Sequence, residues 1–157
     1  EAPPAVLPLD DFNDQPTLTW TPLNRGISRV SPVPFALQGR ASLRIEYEAT
    51  APPGPSPAVE AELDVRDISG YQYLAFWIHG RVVVQPALVG VEGGVFFAPP
   101  QQAALKDGWT PLTFPLAQFE GAPLQAVQRL ILVFEPGEGV HQGALHLDQL
   151  QLRQQRL

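Results

Sequence analysis

The chain has no cysteine. That excludes disulfides and thiolate metal sites, but it does not decide the compartment, because exported bacterial proteins manage without either. Basic surface is also scarce. The formal charge is −6, with charged residues at only 17% of 157 positions, and no basic face exists to neutralise phosphates, so nucleic acid is excluded as a partner. No apolar run approaches the roughly 20 residues that carry a helix across a bilayer. Long helices of any kind have little room, since 18 prolines and 13 glycines punctuate the chain and an interior proline costs a helix about 3 kcal/mol. The short signatures of catalysis are missing too: there is no Gly-x-Ser-x-Gly elbow, no cysteine nucleophile and no phosphate-cradling glycine loop followed by lysine.

What remains is a chain with 45% apolar residues, enough for a real core and long enough for one domain, positions 1–157. Positions 1–6 read as a Pro/Ala linker or a mature amino terminus, which points to export. Strand patterns dominate the rest. In Ser42–Glu48 the residues Leu43, Ile45 and Tyr47 alternate with Arg44, Glu46 and Glu48, as in a half-buried antiparallel strand. Val59–Val65 alternates likewise, with Glu60, Glu62 and Asp64 outward. Asp67-Ile68-Ser69-Gly70 turns into the aromatic strand Tyr73–His79, which places Leu74, Phe76 and Ile78 on one face and Tyr73, Ala75, Trp77 and His79 on the other. Further strands are expected at Ala5–Phe12, along the Trp20–Pro34 edge, at Arg81–Val91, Val95–Phe97, Trp109–Phe114, Val127–Phe134 and Gly143–Leu152. The last requires a bulge at Asp148 to bring Leu150 and Leu152 back to the face of Leu145 and Leu147. Gln101–Gly108 reads as a connection and Leu116–Phe119 as one helical turn. Nine or ten short strands at this spacing predict an all-β, two-sheet antiparallel sandwich.

The order of signals carries a resemblance. Leu9-Asp10-Asp11-Phe12, the strand opening at Gly39, the Asp67-Ile-Ser-Gly-Tyr turn, Gly108-Trp-Thr-Pro-Leu-Thr-Phe-Pro-Leu, and the closing Leu-x-Leu-Asp148-x-Leu-x-Leu together resemble the galactose-binding-like jelly rolls, nearest to family 11 carbohydrate-binding modules. The resemblance spans Leu9 to Leu152. It implies a jelly-roll sandwich that binds glycan on an aromatic-lined sheet and carries a structural calcium, here held by Asp10 or Asp11 with Asp148. Calcium takes oxygen ligands, and a bulged strand can turn a carboxylate toward its neighbour. Asn13 departs from the acidic residue expected after the Asp pair.

Sugars stack their C–H faces on aromatic rings and hydrogen-bond to carboxylates and amides. The candidates for such a platform are Trp77, Tyr73 and His79, with Glu60 and Glu62 on a strand expected to lie beside them. Outward Ile131 and Val133 on the Val127 strand suit a protein partner better. An apolar outer sheet used as an interface, in a structural or assembly subunit of a cell-envelope or secreted complex, is the competing reading. Trp77 as plain packing under a loop is the bland one. Glu60 and Glu62 stand roughly 7 Å apart, within the span of glycosidase carboxylates, which leaves a glycan hydrolase or lyase as a third reading. Paired outward glutamates, however, are usually a solvated face.

Overall fold

A computed structural model describes residues 4–12, 18–23, 27–37, 41–48, 56–63, 67–103, 108–136 and 142–157. Among the described residues twelve strands follow one another: β1 (Val6–Asp10), β2 (Trp20–Pro22), β3 (Ile27–Val33), β4 (Ser42–Glu48), β5 (Ala58–Glu62), β6 (Tyr73–His79), β7 (Val82–Gly90), β8 (Val95–Phe97), β9 (Gln101–Ala103), β10 (Trp109–Pro115), β11 (Val127–Pro136) and β12 (Gln142–Arg153). A 3-10 turn, Leu116–Gln118, follows β10. Every pairing is antiparallel. The first sheet runs β10-β6-β12-β4-β3 with β1 also on β12, and the second runs β2-β5-β11-β7-β8 with β9 also on β7. This is the two-sheet sandwich that the strand spacing predicts.

The alternating patterns decide which side of each strand faces in. Leu43 and Ile45, Leu74, Phe76 and Ile78, Leu112 and Phe114, and Leu145 and Leu147 line the inner side of the first sheet, opposite Val59, Val84, Leu88, Leu130, Leu132 and Phe134 of the second. Phe76 and Phe114 stack at 5.8 Å within this layer. Each such side chain taken fully out of water contributes roughly 1.5–3 kcal/mol. Prolines fall where a missing N–H costs least: Pro22 and Pro32 lie on the edge strands β2 and β3.

One expectation shifts. The Gln101–Gly108 connection begins with a strand, β9, which pairs with Val82–Val84; three residues with two polar glutamines gave no alternation to read. Positions 64 and 65 of the expected Val59–Val65 strand, like most of the Pro-rich segment before it, lie outside the described residues. The aromatic strand β6 is interior, between β10 and β12, and β12 in turn pairs with β6 on one side and with both β4 and β1 on the other. Its bulge is where the sequence slips. Gln149 adopts φ 54°, the register shifts between Asp148 and Gln151, and Leu150 and Leu152 return to the core at 1% exposure.

Candidate functional site

The outer face of the first sheet is built in rows across its strands. Trp109, His79, His146 and Arg44 stand side by side on β10, β6, β12 and β4. The next row is Pro111, Trp77 and Asp148, followed by Thr113, Ala75 and Gln151, then Pro115, Tyr73 and Arg153. Trp77, Tyr73 and His79 are all half-buried, so each ring is held at its base and keeps part of its surface open to solvent. Ala75 sits between Trp77 and Tyr73 at 0% exposure.

One end of the face carries a ring cluster. The loop after β3 brings Phe35, 42% exposed, onto three rings at once: Trp109, stacked at 5.6 Å; His79, edge-on at 4.9 Å; and His146, tilted at 4.8 Å. His79 also meets Trp109 at 5.3 Å and His146 at 5.9 Å. Two polar groups fix this loop to the sheet. The Leu37 N–H donates to Asp148 Oδ2 at 3.0 Å, and the Ser42 hydroxyl donates to the Phe35 carbonyl. Under the cluster His146 is pushed down to about 4, by burial first and then by the Arg44 and His79 charges, and its Nδ1 is buried with no hydrogen-bond partner among the described residues.

The other end is cationic. The Arg156 guanidinium lies 5.0 Å above the Tyr73 ring, within cation–π range. Arg153 donates from Nε to the Gln155 carbonyl at 2.8 Å and from Nη1 to Gln151 Oε1 at 3.1 Å, while Gln151 Nε2 donates to the Gln149 carbonyl at 3.1 Å. The middle of the face thus offers indole, proline ring, threonine and amide together.

The other expected glycan contacts do not join this face. Glu60 and Glu62 lie on β5, in the second sheet, and Glu60 accepts from Arg129 Nη1 at 3.0 Å. Two strands of similar alternation cannot be assigned to the same or opposite sheets from their own residues, which is why sequence reasoning put them beside Trp77. The same correction moves Ile131 and Val133: they pair with Glu60 and Ala58 in the second sheet and pack with Ala58, Ala87 and Val89 on its outer side. Their apolar character therefore says nothing against the Trp77 face.

The described carboxylates expected to hold calcium are turned to another use. Asp10, 1% exposed, accepts the Phe12 N–H at 3.0 Å, the Leu18 N–H at 3.1 Å and the Trp20 indole N–H at 3.2 Å, holding the loop after β1 with Phe12 at φ 60°. Asp148, 0% exposed, accepts from Leu37, from the Gln149 N–H at 2.8 Å and from Gln149 Nε2 at 3.3 Å. Asp11 is exposed. Among the described residues no three acidic or histidine side chains converge, and Asp10 and Asp148 each give at least three of a carboxylate's roughly four lone-pair sites to N–H donors, which leaves little for a cation. Asn13 lies outside the described residues.

Sequence reasoning missed Trp109, Phe35 and His146 as part of the face. Trp109 had a signal, since its parity with Pro111 and Thr113 opposes Leu112 and Phe114, but the pairing of β10 with β6 did not show. Phe35 sits in a proline-flanked loop, where no periodicity exists.

No protein-family model and no curated protein matches this chain. Solved structures do match in fold. The family 11 carbohydrate-binding module of a cellulosomal cellulase of Clostridium thermocellum superposes with TM-score 0.71 at 15% identity, covering 97% of this chain and 96% of that one. A Clostridium thermocellum family 11 module in complex with a β-1,3-1,4-mixed-linked tetrasaccharide gives 0.68 at 14% identity, with 94% and 95% covered. A non-crystalline-cellulose-specific carbohydrate-binding module, CBM28, gives 0.70 at 14% identity, with 97% and 96% covered. The chain thus has the jelly-roll sandwich fold of such modules over nearly its whole length.

Proposed function

We propose that this chain is a non-catalytic carbohydrate-binding module of an exported protein, and that glycan lies on the outer face of the first sheet, stacking on Trp77 with Trp109, His79 and Tyr73 around it. The observation that carries the reading is the row structure of that face: half-buried rings from adjacent strands interleaved with Thr113 and Gln151, the mixture that sugar recognition uses. The structural neighbours add weight, since one is in complex with a tetrasaccharide and another is specific for non-crystalline cellulose. The ion pair between Glu60 and Arg129 favours a non-catalytic role over a glutamate dyad. A glycan array, followed by affinity electrophoresis of Trp77→Ala on the best polysaccharide, tests the proposal. Retention that survives the substitution unchanged defeats it.

A second reading attaches to the opposite side. On β8 and the turn before it Val91, Val95 and Phe97 are exposed, next to the Ala87 and Val89 stripe, which is the composition of an interface. Sedimentation of the isolated chain tests it: a monomer at high concentration counts against self-association through this face.

A further inference from the structure

The cations of this acidic chain are not spread evenly. Six arginines fall among the described residues: Arg29, Arg44, Arg81, Arg129, Arg153 and Arg156. Arg129 is paired with Glu60 on the far sheet, and Arg29 and Arg44 each approach Glu46 at 4.0 Å. Arg153, Arg156 and the turn residue Arg81 have no carboxylate within ion-pair range among the described residues. Of these three, Arg153 and Arg156 stand on the ring-bearing face, beside Tyr73.

Both are held in place by groups that leave the charge intact. A guanidinium has five N–H donors; Arg153 gives two of them to neutral acceptors, the Gln155 carbonyl and Gln151 Oε1, so three remain. Arg156 is held by the π-face of Tyr73. The β4 carboxylates of this face, half-buried Glu46 and exposed Glu48, are opposite Ala144 and Gln142, whereas Arg153 lies at the other end of the same strand. From position 144 to position 153 the strand runs roughly 25 Å, well beyond the ~10 Å over which exposed charges act at 0.1 M salt. Fixed, unneutralised forks beside a sugar-stacking surface match oxyanions that present two oxygens side by side, planar carboxylate or tetrahedral sulfate, which arginine binds bidentately.

We propose that the glycan bound on this face is anionic, a polysaccharide bearing carboxylate or sulfate groups, and that Arg153 and Arg156 select it. This inference rests on the assignment of the face as a glycan platform. Three polymers test it in native affinity gels: polygalacturonate for carboxylate, a sulfated galactan for sulfate, and a neutral mixed-linkage β-glucan. The expected result is preferential retardation by one of the two anionic polymers, weakening as salt rises. In the Arg153→Gln/Arg156→Gln double variant the ratio of anionic to neutral affinity falls about tenfold or more. Arg153→Lys, which keeps the charge but loses the fork, falls between wild type and the double variant. Circular dichroism melts of each variant confirm folding. Equal or stronger binding of the neutral glucan, or an unchanged ratio in the double variant, overturns the inference. The platform itself stands or falls separately, on whether Trp77→Ala weakens retention by the polymer that the wild type binds.

Discussion

Asp148 reaches across 111 positions of sequence to accept the backbone N–H of Leu37 at 3.0 Å, and this contact seats Phe35 on the rings of His79, Trp109 and His146. The carboxylate that the family resemblance offers as a metal ligand anchors a loop here.

The first prediction follows from that anchor. Asp148→Ala leaves the Leu37 and Gln149 amides without their buried acceptor, and hydrogen bonds to a charged group count for about 1.5–3 kcal/mol each. Chemical denaturation should show a loss of about 2–4 kcal/mol, and amide exchange at Leu37 should accelerate far more than at Leu147 in the β12 ladder. Equal acceleration at both would mean global destabilisation without release of the loop.

The second concerns calcium. With the oxygens of Asp10 and Asp148 turned to N–H donors, neither added calcium nor a chelator should move the melting temperature. An ion that binds only the folded state would raise it by mass action. A calcium-dependent rise that Asp10→Asn removes would restore the ion site and require that the loop after Phe12 supply further oxygens.

The third is a pH dependence. His146 is held down at about 4 by burial, Arg44 and His79, against 6.5 for the ordinary group. The unfolded chain therefore takes up a proton at His146 before the folded one does. Its contribution to stability is complete above about 6.5, is lost as pH falls toward about 4, and changes no further below that. Partial exposure of the ring screens the effect, so its size should be modest. Melting curves across this window should flatten in His146→Asn; an equal slope in the variant would assign the dependence to carboxylates.

The strands were legible because each carries its own period. Leu43, Ile45 and Tyr47 alternate with charged residues, and the slip at Asp148 announces the bulge that Gln149 makes with its positive φ. Sheet membership was not legible, because β5 and β6 bury equally apolar faces and the partner of each is fixed by contacts distant in sequence. Glu60 and Glu62 were misplaced for that reason, and so were Ile131 and Val133. The loop carrying Phe35 gave no signal at all: what seats it is Asp148 and Ser42, two polar residues whose role appears only when β4 and β12 lie side by side.

The last prediction uses two neighbours on β6 that face opposite ways. Phe76 is fully buried against Phe114, so Phe76→Ala should cost about 3–5 kcal/mol and lower glycan binding only as far as it unfolds the chain. Trp77 is half-buried, between Pro111 and Asp148 on the outer side. Its truncation removes less buried surface and should cost about 1–2 kcal/mol, while retention by the bound polysaccharide falls about tenfold, the equivalent of about 1.4 kcal/mol of lost stacking. The two variants are compared at a temperature where both remain folded by dichroism. A Trp77→Ala chain destabilised as much as Phe76→Ala would make the indole a packing residue beneath the Phe35 loop. One that keeps both its stability and its glycan retention would remove Trp77 from the platform.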